Sequence, residues 1–249
     1  MTQIEICLTD LASALAAEGG GAARVELCDN LAEGGTTPSV GMITAVSHAL
    51  TIPTHVIIRS RGGDFCYTAA ERDIMARDIV AAKEAGAAGV VLGLLLPHGD
   101  IDAAETARLV ALARPLKVTF HRAFDMCRDP LTAFDTLQTL GVDFLLTSGQ
   151  RETAVSGVSL IRQLVERGKN GRLRVMAGSG VNAANAAQLV AATGVADLHA
   201  GSAVTDWVES QMQYRNPQVM MGSSTQSEYA RRQVTAERVA ALVAAAQNQ

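Results

Sequence analysis

Two short segments, IEICL and VELCD, repeat one arrangement, an acid two residues before a thiol: Glu5 with Cys7, and Glu26 with Cys28. The first group can move a proton and the second is a soft metal donor. If both segments are strands, and neighbours about 4.8 Å apart, the two thiols reach the same side of a sheet. Two thiolates without a third ligand do not satisfy tetrahedral zinc, whereas soft sulfur at low coordination suits Cu(I). A third segment, KVTFHRAFD, begins like a buried strand and then sets down His121, Arg122 and Asp125. Imidazole and carboxyl groups side by side are general acid/base chemistry, and guanidinium groups bind carboxylate or phosphate in a bidentate way.

These residues need elements to position them. The chain has 249 residues, 48% hydrophobic and 18% charged, with 22 Gly against 6 Pro, enough to bury a large core. Short aliphatic runs at 3–8, 24–28, 54–59, 89–94, 117–122, 144–148, 174–178 and 197–201 read as strands. Between them lie stretches of helical period at 10–18, 39–50, 68–85, 103–113, 130–140, 157–167 and 183–192, with a last one at 235–246. Asp10, Ser39, Thr68 and Asp129 stand at N-cap positions, and Gly19, Gly86, Gly141 and Gly194 stand where helices should stop. Strict alternation demands a parallel sheet covered by helices, and eight units is the number at which such a sheet closes. The expectation is a single (β/α)8 barrel domain, an α/β fold spanning 1–249, with 202–234 as a long loop after the eighth strand. An open doubly wound sheet would need a glycine-rich fingerprint after its first strand, and none is present.

In a closed barrel alternate strand residues face the interior, and the C-terminal strand ends form the mouth. The more apolar parity, Ile4, Ile6, Val25, Leu27, Val56, Ile58, Val118, Phe120 and Leu198, belongs against the helices. The other parity sends Glu5, Cys7, Glu26, Cys28, Arg59, Thr119, His121 and His199 inward, with Arg61 and Asp125 just beyond their strands. An ionic interior is costly unless it pairs or binds something. Further loops agree. IIRSRGGDF places Arg59 and Arg61 after strand three. LLTSGQ places Ser148 and Gly149 after strand six, and VMAGSGV places Gly178 and Ser179 after strand seven, ahead of a helix start at Asn182. Small residues feeding a helix N-terminus resemble the phosphate corner of many barrels.

Two functions of different kinds follow. One is Cu(I) binding or trafficking through Cys7 and Cys28. The other is an enzyme, of hydrolase, lyase or isomerase type, acting on a small polar or phosphorylated, sugar-like substrate at the mouth. There Glu26, His121 and Asp125 would be catalytic, while Glu5, Arg59, Arg61, Arg122, Ser148, Gly149, Gly178, Ser179 and His199 would hold the ligand. No organic cofactor is indicated. A net charge of −4 with no run of like charges offers nothing to nucleic acid, and no apolar run is long enough to span a membrane. The start of the chain lacks an export signal, and four widely spaced cysteines suit a reducing compartment, so a cytoplasmic location is expected. In 202–234, Trp207, Tyr214, Met220, Met221 and Tyr229 supply enough apolar material to fold over the mouth or into a subunit contact, with Arg215 and Asn216 above the site.

The segments VELCDNLAEGGTTPSVG, RGGDFCY, VTFHRAFDM, LTSGQ and AGSGV, with the later YRN and SEYA, resemble the CutC family over roughly residues 3–240. The resemblance implies a cytoplasmic (β/α)8 barrel, homodimeric or of higher order, engaged in copper tolerance or Cu(I) handling. The family's proposed copper-binding cysteines correspond to Cys7 and Cys28. The chain departs from the family pattern at Ser60, where the family usually has proline, and in HAGSA, which has one residue more between His199 and Ser202.

Overall fold

The computed structural model describes residues 1–219 and 227–247; the Met220–Met221 pair lies outside them. Eight parallel strands close into a barrel in chain order: β1 (Gln3–Leu8), β2 (Arg24–Leu27), β3 (Thr54–Ile57), β4 (Gly89–Leu92), β5 (Lys117–Phe120), β6 (Phe144–Thr147), β7 (Arg174–Ala177) and β8 (Asp197–Ala200). The ring is sealed by β1 against β8, with Glu5 opposite His199, while on the other side of β1 Cys7 lies opposite Glu26 of β2.

Strands two to eight end one or two residues earlier than the sequence suggests, for a physical reason. Cys28, Ile58, His121 and Gly178 still donate their amides to Leu8, Val91, Leu92 and Thr147 of the adjacent strands. Their backbones then leave the barrel sheet for the mouth loops, where Asp29 pairs with Thr36 and the Arg59 carbonyl accepts the Thr37 amide. These residues are where strand becomes site.

Helices α1 (Leu11–Gly19), α2 (Val40–Ala49), α3 (Ala69–Glu84), α4 (Ala103–Ala113), α5 (Pro130–Thr139), α6 (Val158–Gly168), α7 (Ala186–Thr193) and α8 (Ala236–Gln247) surround the barrel. Asp10, Ser39 and Asp129 each accept a backbone amide of the first turn. Thr68 and Glu71 form a reciprocal capping box, which satisfies two donors that a helix start leaves unpaired. α7 starts three residues late because asparagine side chains take the amides first: Asn185 accepts from Asn182 N, and Asn182 accepts from Ala184 N. The parity assigned to the helices is buried there. Ile4, Ile6, Val25, Leu27, Val56, Ile58, Val118, Phe120 and Leu198 share one apolar layer with Met75, Ile79 and Leu109, and each fully buried aliphatic side chain contributes about 1.5–3 kcal/mol.

Inside the barrel the packing is different. Cys28, Ile57 and Val91 form a small separate cluster with Cys7 against it, which floors the mouth. The segment after β8 is not all loop: β9 (Thr205–Glu209) pairs antiparallel with β10 (Ala230–Val234), which runs into α8. Arg232 lies opposite Trp207, its guanidinium 5.1 Å from the ring centre. Among the described residues no helix is long and apolar enough to cross a membrane.

Candidate functional site

A cavity of about 140 Å3 opens at the C-terminal ends of the strands, and Cys7, Glu26, Cys28, Arg59, His121 and His199 are on its wall with Arg122. Cys7 Sγ lies 3.6 Å from Cys28 Sγ. Cys28 is 1% exposed whereas Cys7 is only half-buried. Cys7 also lines a second, outer hollow of about 470 Å3, walled by Gly201, Trp207 and Arg231 of the β9–β10 hairpin region. Arg215 and Asn216 stay within the hairpin segment, on Glu209 and on the hydroxyl of Tyr229.

The two thiols are inequivalent. The Cys28 S–H beside it, against the opposing effect of burial and with His199 assisting, brings Cys7 down to about 5. Cys28 is pushed well up by the same contact and by burial. Burial and the neighbouring Cys7 thiolate push Glu26 well above the usual carboxyl range, against the opposing charge of His199. Burial opposes the charge on His199, but its hydrogen bonds to Cys7 and Glu5 prevail and push it up. Cys7 Sγ, a Glu26 carboxylate oxygen and a His199 ring nitrogen all lie within 4.8 Å of one another.

Beneath this group a line of charges descends through the barrel. His199 Nδ1 is 2.7 Å from Glu5 Oε1, and Arg24 Nε donates to Glu5 Oε2 at 2.6 Å. Arg24 Nη2 donates to Asp197 at 3.1 Å, and Arg174 donates to the other oxygen of Asp197 at 2.6 Å. Glu5 and Asp197 are fully buried. Burial resists the charge on Glu5, yet Arg24 and His199 hold its carboxyl well below the usual range. His55 lies against Glu5 at 3.9 Å, and burial pushes it down to about 4. Arg24 and Asp197 were not among the sequence candidates. The signal was available, since Arg24 shares the inward parity of Glu26 and Asp197 that of His199.

The remaining candidates divide. Arg59 is spent on backbone: Nη1 donates to the carbonyls of Glu33 and Gly35 at 2.6 and 2.7 Å, and Nη2 to that of Gly63 at 2.8 Å. Arg61 lies off the cavity wall, bonded to Glu71 and Asp64 and stacked over Tyr67. Asp125 accepts from Arg122 Nε, from the amides of Ser148 and Gln150, and from the hydroxyls of Thr147 and Ser148. It thereby ties the loop after β5 to the loop after β6 and, with Ser148, fixes Arg122. Gly149 has φ +70°, and a Cβ there would strike the Gly157 carbonyl. Gly178 leaves space for Leu146 and His199, while Ser179 donates to the Glu152 carbonyl away from the cavity.

His121 is the N-cap of a short 3-10 turn, Arg122–Met126, and its Nδ1 accepts the Ala123 amide at 3.1 Å. The proton must then sit on Nε2, which has no hydrogen-bond partner among the described residues. Burial, with the charge of Arg59 alongside, pushes this imidazole down to about 3. Unfolding returns it to about 6.5, so at intermediate pH the unfolded chain binds a proton that the folded chain refuses, and stability falls as pH falls. By about pH 5 this one group costs about 2 kcal/mol relative to pH 7. In His121→Gln, urea unfolding should show an acid loss smaller than wild type by about that amount. Parallel pH profiles for the two proteins would contradict the assignment of a buried neutral imidazole.

The CutC family model matches residues 2–204. A protein from Chromobacterium violaceum named family protein CutC is 49% identical over 239 residues, covering 96% of each chain. The human copper homeostasis protein cutC homolog is 44% identical over 246 residues, 98% of this chain and 89% of that one. The crystal structure of CutC from Streptococcus agalactiae aligns with a TM-score of 0.76 at 36% identity, covering 81% of this chain and 98% of that chain. N-(5'-phosphoribosyl)anthranilate isomerase from Pyrococcus furiosus aligns along the whole of both chains with a TM-score of 0.61 at 12% identity, a likeness of fold alone. With nearly its full length matched by these relatives and its barrel by a solved CutC structure, this chain belongs to the CutC family.

Proposed function

We propose that this protein takes Cu(I) as cargo between Cys7 and Cys28 at the barrel mouth and serves copper homeostasis in that way. The observation that carries the reading is the 3.6 Å separation of two sulfurs delivered by adjacent strands to one cavity. The donor chemistry fits, since soft sulfur prefers the soft ion and the neighbouring Cys28 thiol, with His199, favours the thiolate form of Cys7. The name carried by the human relative agrees with it.

The strand register explains why the pair suits a shared ion better than a disulfide. Cys7 is opposite Glu26, so Cys28 lies two residues out of step, and strand spacing and rise together put the Cα atoms roughly 8 Å apart. A disulfide bridges Cα atoms up to about 6.8 Å. The side chains converge while the backbones do not.

The test is anaerobic competition for Cu(I) against a chromophoric Cu(I) chelator. Cys7→Ser combined with Cys28→Ser should weaken uptake at least about 100-fold while the thermal melt stays close to wild type. A double variant that competes as well as wild type would remove the proposal.

A further inference from the structure

We infer that the same mouth is also a site for a divalent cation of borderline softness, Zn2+ above all, held by Cys7 Sγ, Cys28 Sγ, a Glu26 carboxylate oxygen and His199 Nε2. Two cysteines alone fall short of a tetrahedral set. The fold completes it by adding one donor from β2 and one from β8, and no spacing along the chain advertises the result.

The donor separations have the right size. Tetrahedral zinc with Zn–S near 2.3 Å and Zn–N and Zn–O near 2.0–2.1 Å places sulfur about 3.8 Å from sulfur and nitrogen about 3.4 Å from oxygen. Here the sulfurs are 3.6 Å apart and His199 Nε2 is 3.7 Å from Glu26 Oε2. Cys7 Sγ falls within 4.8 Å of both other donors. Cys7, Glu26 and His199 thus form a ready three-donor set, and Cys28, 3.6 Å from Cys7, swings in to complete it when the ion binds.

The surroundings are those of a built site. A metal-bound histidine characteristically gives its other ring N–H to a carboxylate, which fixes the tautomer and aims the free nitrogen. His199 has that partner, its Nδ1 being 2.7 Å from Glu5, and Glu5 is itself anchored by Arg24 at 2.6 Å. Gly178 backs the ring, because a Cβ there would come 3.2 Å from that of His199. Hard cations such as Mg2+ prefer all-oxygen shells and find one carboxylate and two sulfurs. The inference is separable from the copper reading, since Cu(I) needs only the sulfurs, whereas Zn2+ needs Glu26 and His199 as well.

The experiment uses full-length protein stripped with chelator and titrated with Zn2+ against a chromophoric zinc indicator, in parallel with the Cu(I) competition. One equivalent of Zn2+ should bind. Glu26→Gln and His199→Gln should each weaken it roughly 10–100-fold, a larger loss than either causes in the Cu(I) competition, where both sulfurs remain. Glu26→Gln is the safer variant for folding, being isosteric. Zn2+ uptake with these losses but no Cu(I) uptake would uphold this inference and overturn the copper proposal. No Zn2+ uptake by wild type, or uptake unchanged in both variants, would overturn this inference whatever copper does.

Discussion

Arg24→Leu should lower the free energy of unfolding by about 3–5 kcal/mol in urea titrations. The guanidinium bridges two carboxylates, Glu5 and Asp197, neither of which is exposed to water, and it packs 4.5 Å from the centre of the Phe144 ring. Leucine restores volume and nothing else. Asp197 keeps Arg174, but Glu5 is left as a buried anion with His199 as its principal partner. Breaking a buried pair from one side is dearer than never having built it. Two further results follow. Arg24→Leu with Glu5→Leu should be less damaging than the sum of the single changes, since the stranded charge is gone. The wild-type advantage should also shrink on acidification: Glu5, held low in the native protein, contributes stability above the ordinary carboxyl range that is lost as pH falls, and in the variant that contribution is already absent. A cost below about 1 kcal/mol would show that the charges are solvated and that the line from the barrel floor to the mouth does not hold His199 in place.

Arg59→Met should cost about 3–5 kcal/mol and open the mouth. Its three carbonyl partners belong to two loops, Glu33 and Gly35 after β2 and Gly63 after β3, so one side chain clamps both. Bonds from a charged donor are each worth about 1.5–3 kcal/mol, though their losses do not simply add. Arg59→Lys should not rescue, because a single ammonium on a flexible stem cannot reproduce the fork. Hydrogen exchange is the decisive readout: amides in 29–37 and 60–67 should lose protection while those of β5 and β6 do not. Unchanged exchange in both loops would mean that they are held by other contacts.

The sequence reveals what depends on period and hides what depends on which groups meet. Every barrel strand is visible, because two-residue alternation and helix caps are local properties. The same alternation brings Cys7, Glu26, Cys28, His121 and His199 to the mouth, with Glu5 buried beneath them. Arg59 shows the limit: a guanidinium after a strand reads as an anion receptor, and its acceptors are carbonyls that any residue could supply. Asp125 is similar, a carboxylate whose oxygens are taken by amides and hydroxyls of the next loop. The β9–β10 hairpin escaped because much of it is exposed, so TDWVE and ARRQV carry no alternation strong enough to mark a strand. Glu26 and His199 were legible as inward-facing residues, but their approach to Cys7 was not, since His199 lies 192 positions further along the chain and meets Cys7 only when β8 closes on β1.

That distance has a consequence for how the protein is made. Cys7, Glu26 and Cys28 emerge early in synthesis, and His199 emerges only with the strand that seals the ring against β1. A nascent or truncated polypeptide can therefore offer both sulfurs and the carboxylate but never the imidazole. Occupancy by an ion that demands all four donors would thus certify that the cylinder has closed, and the metal would stay with finished molecules rather than with fragments.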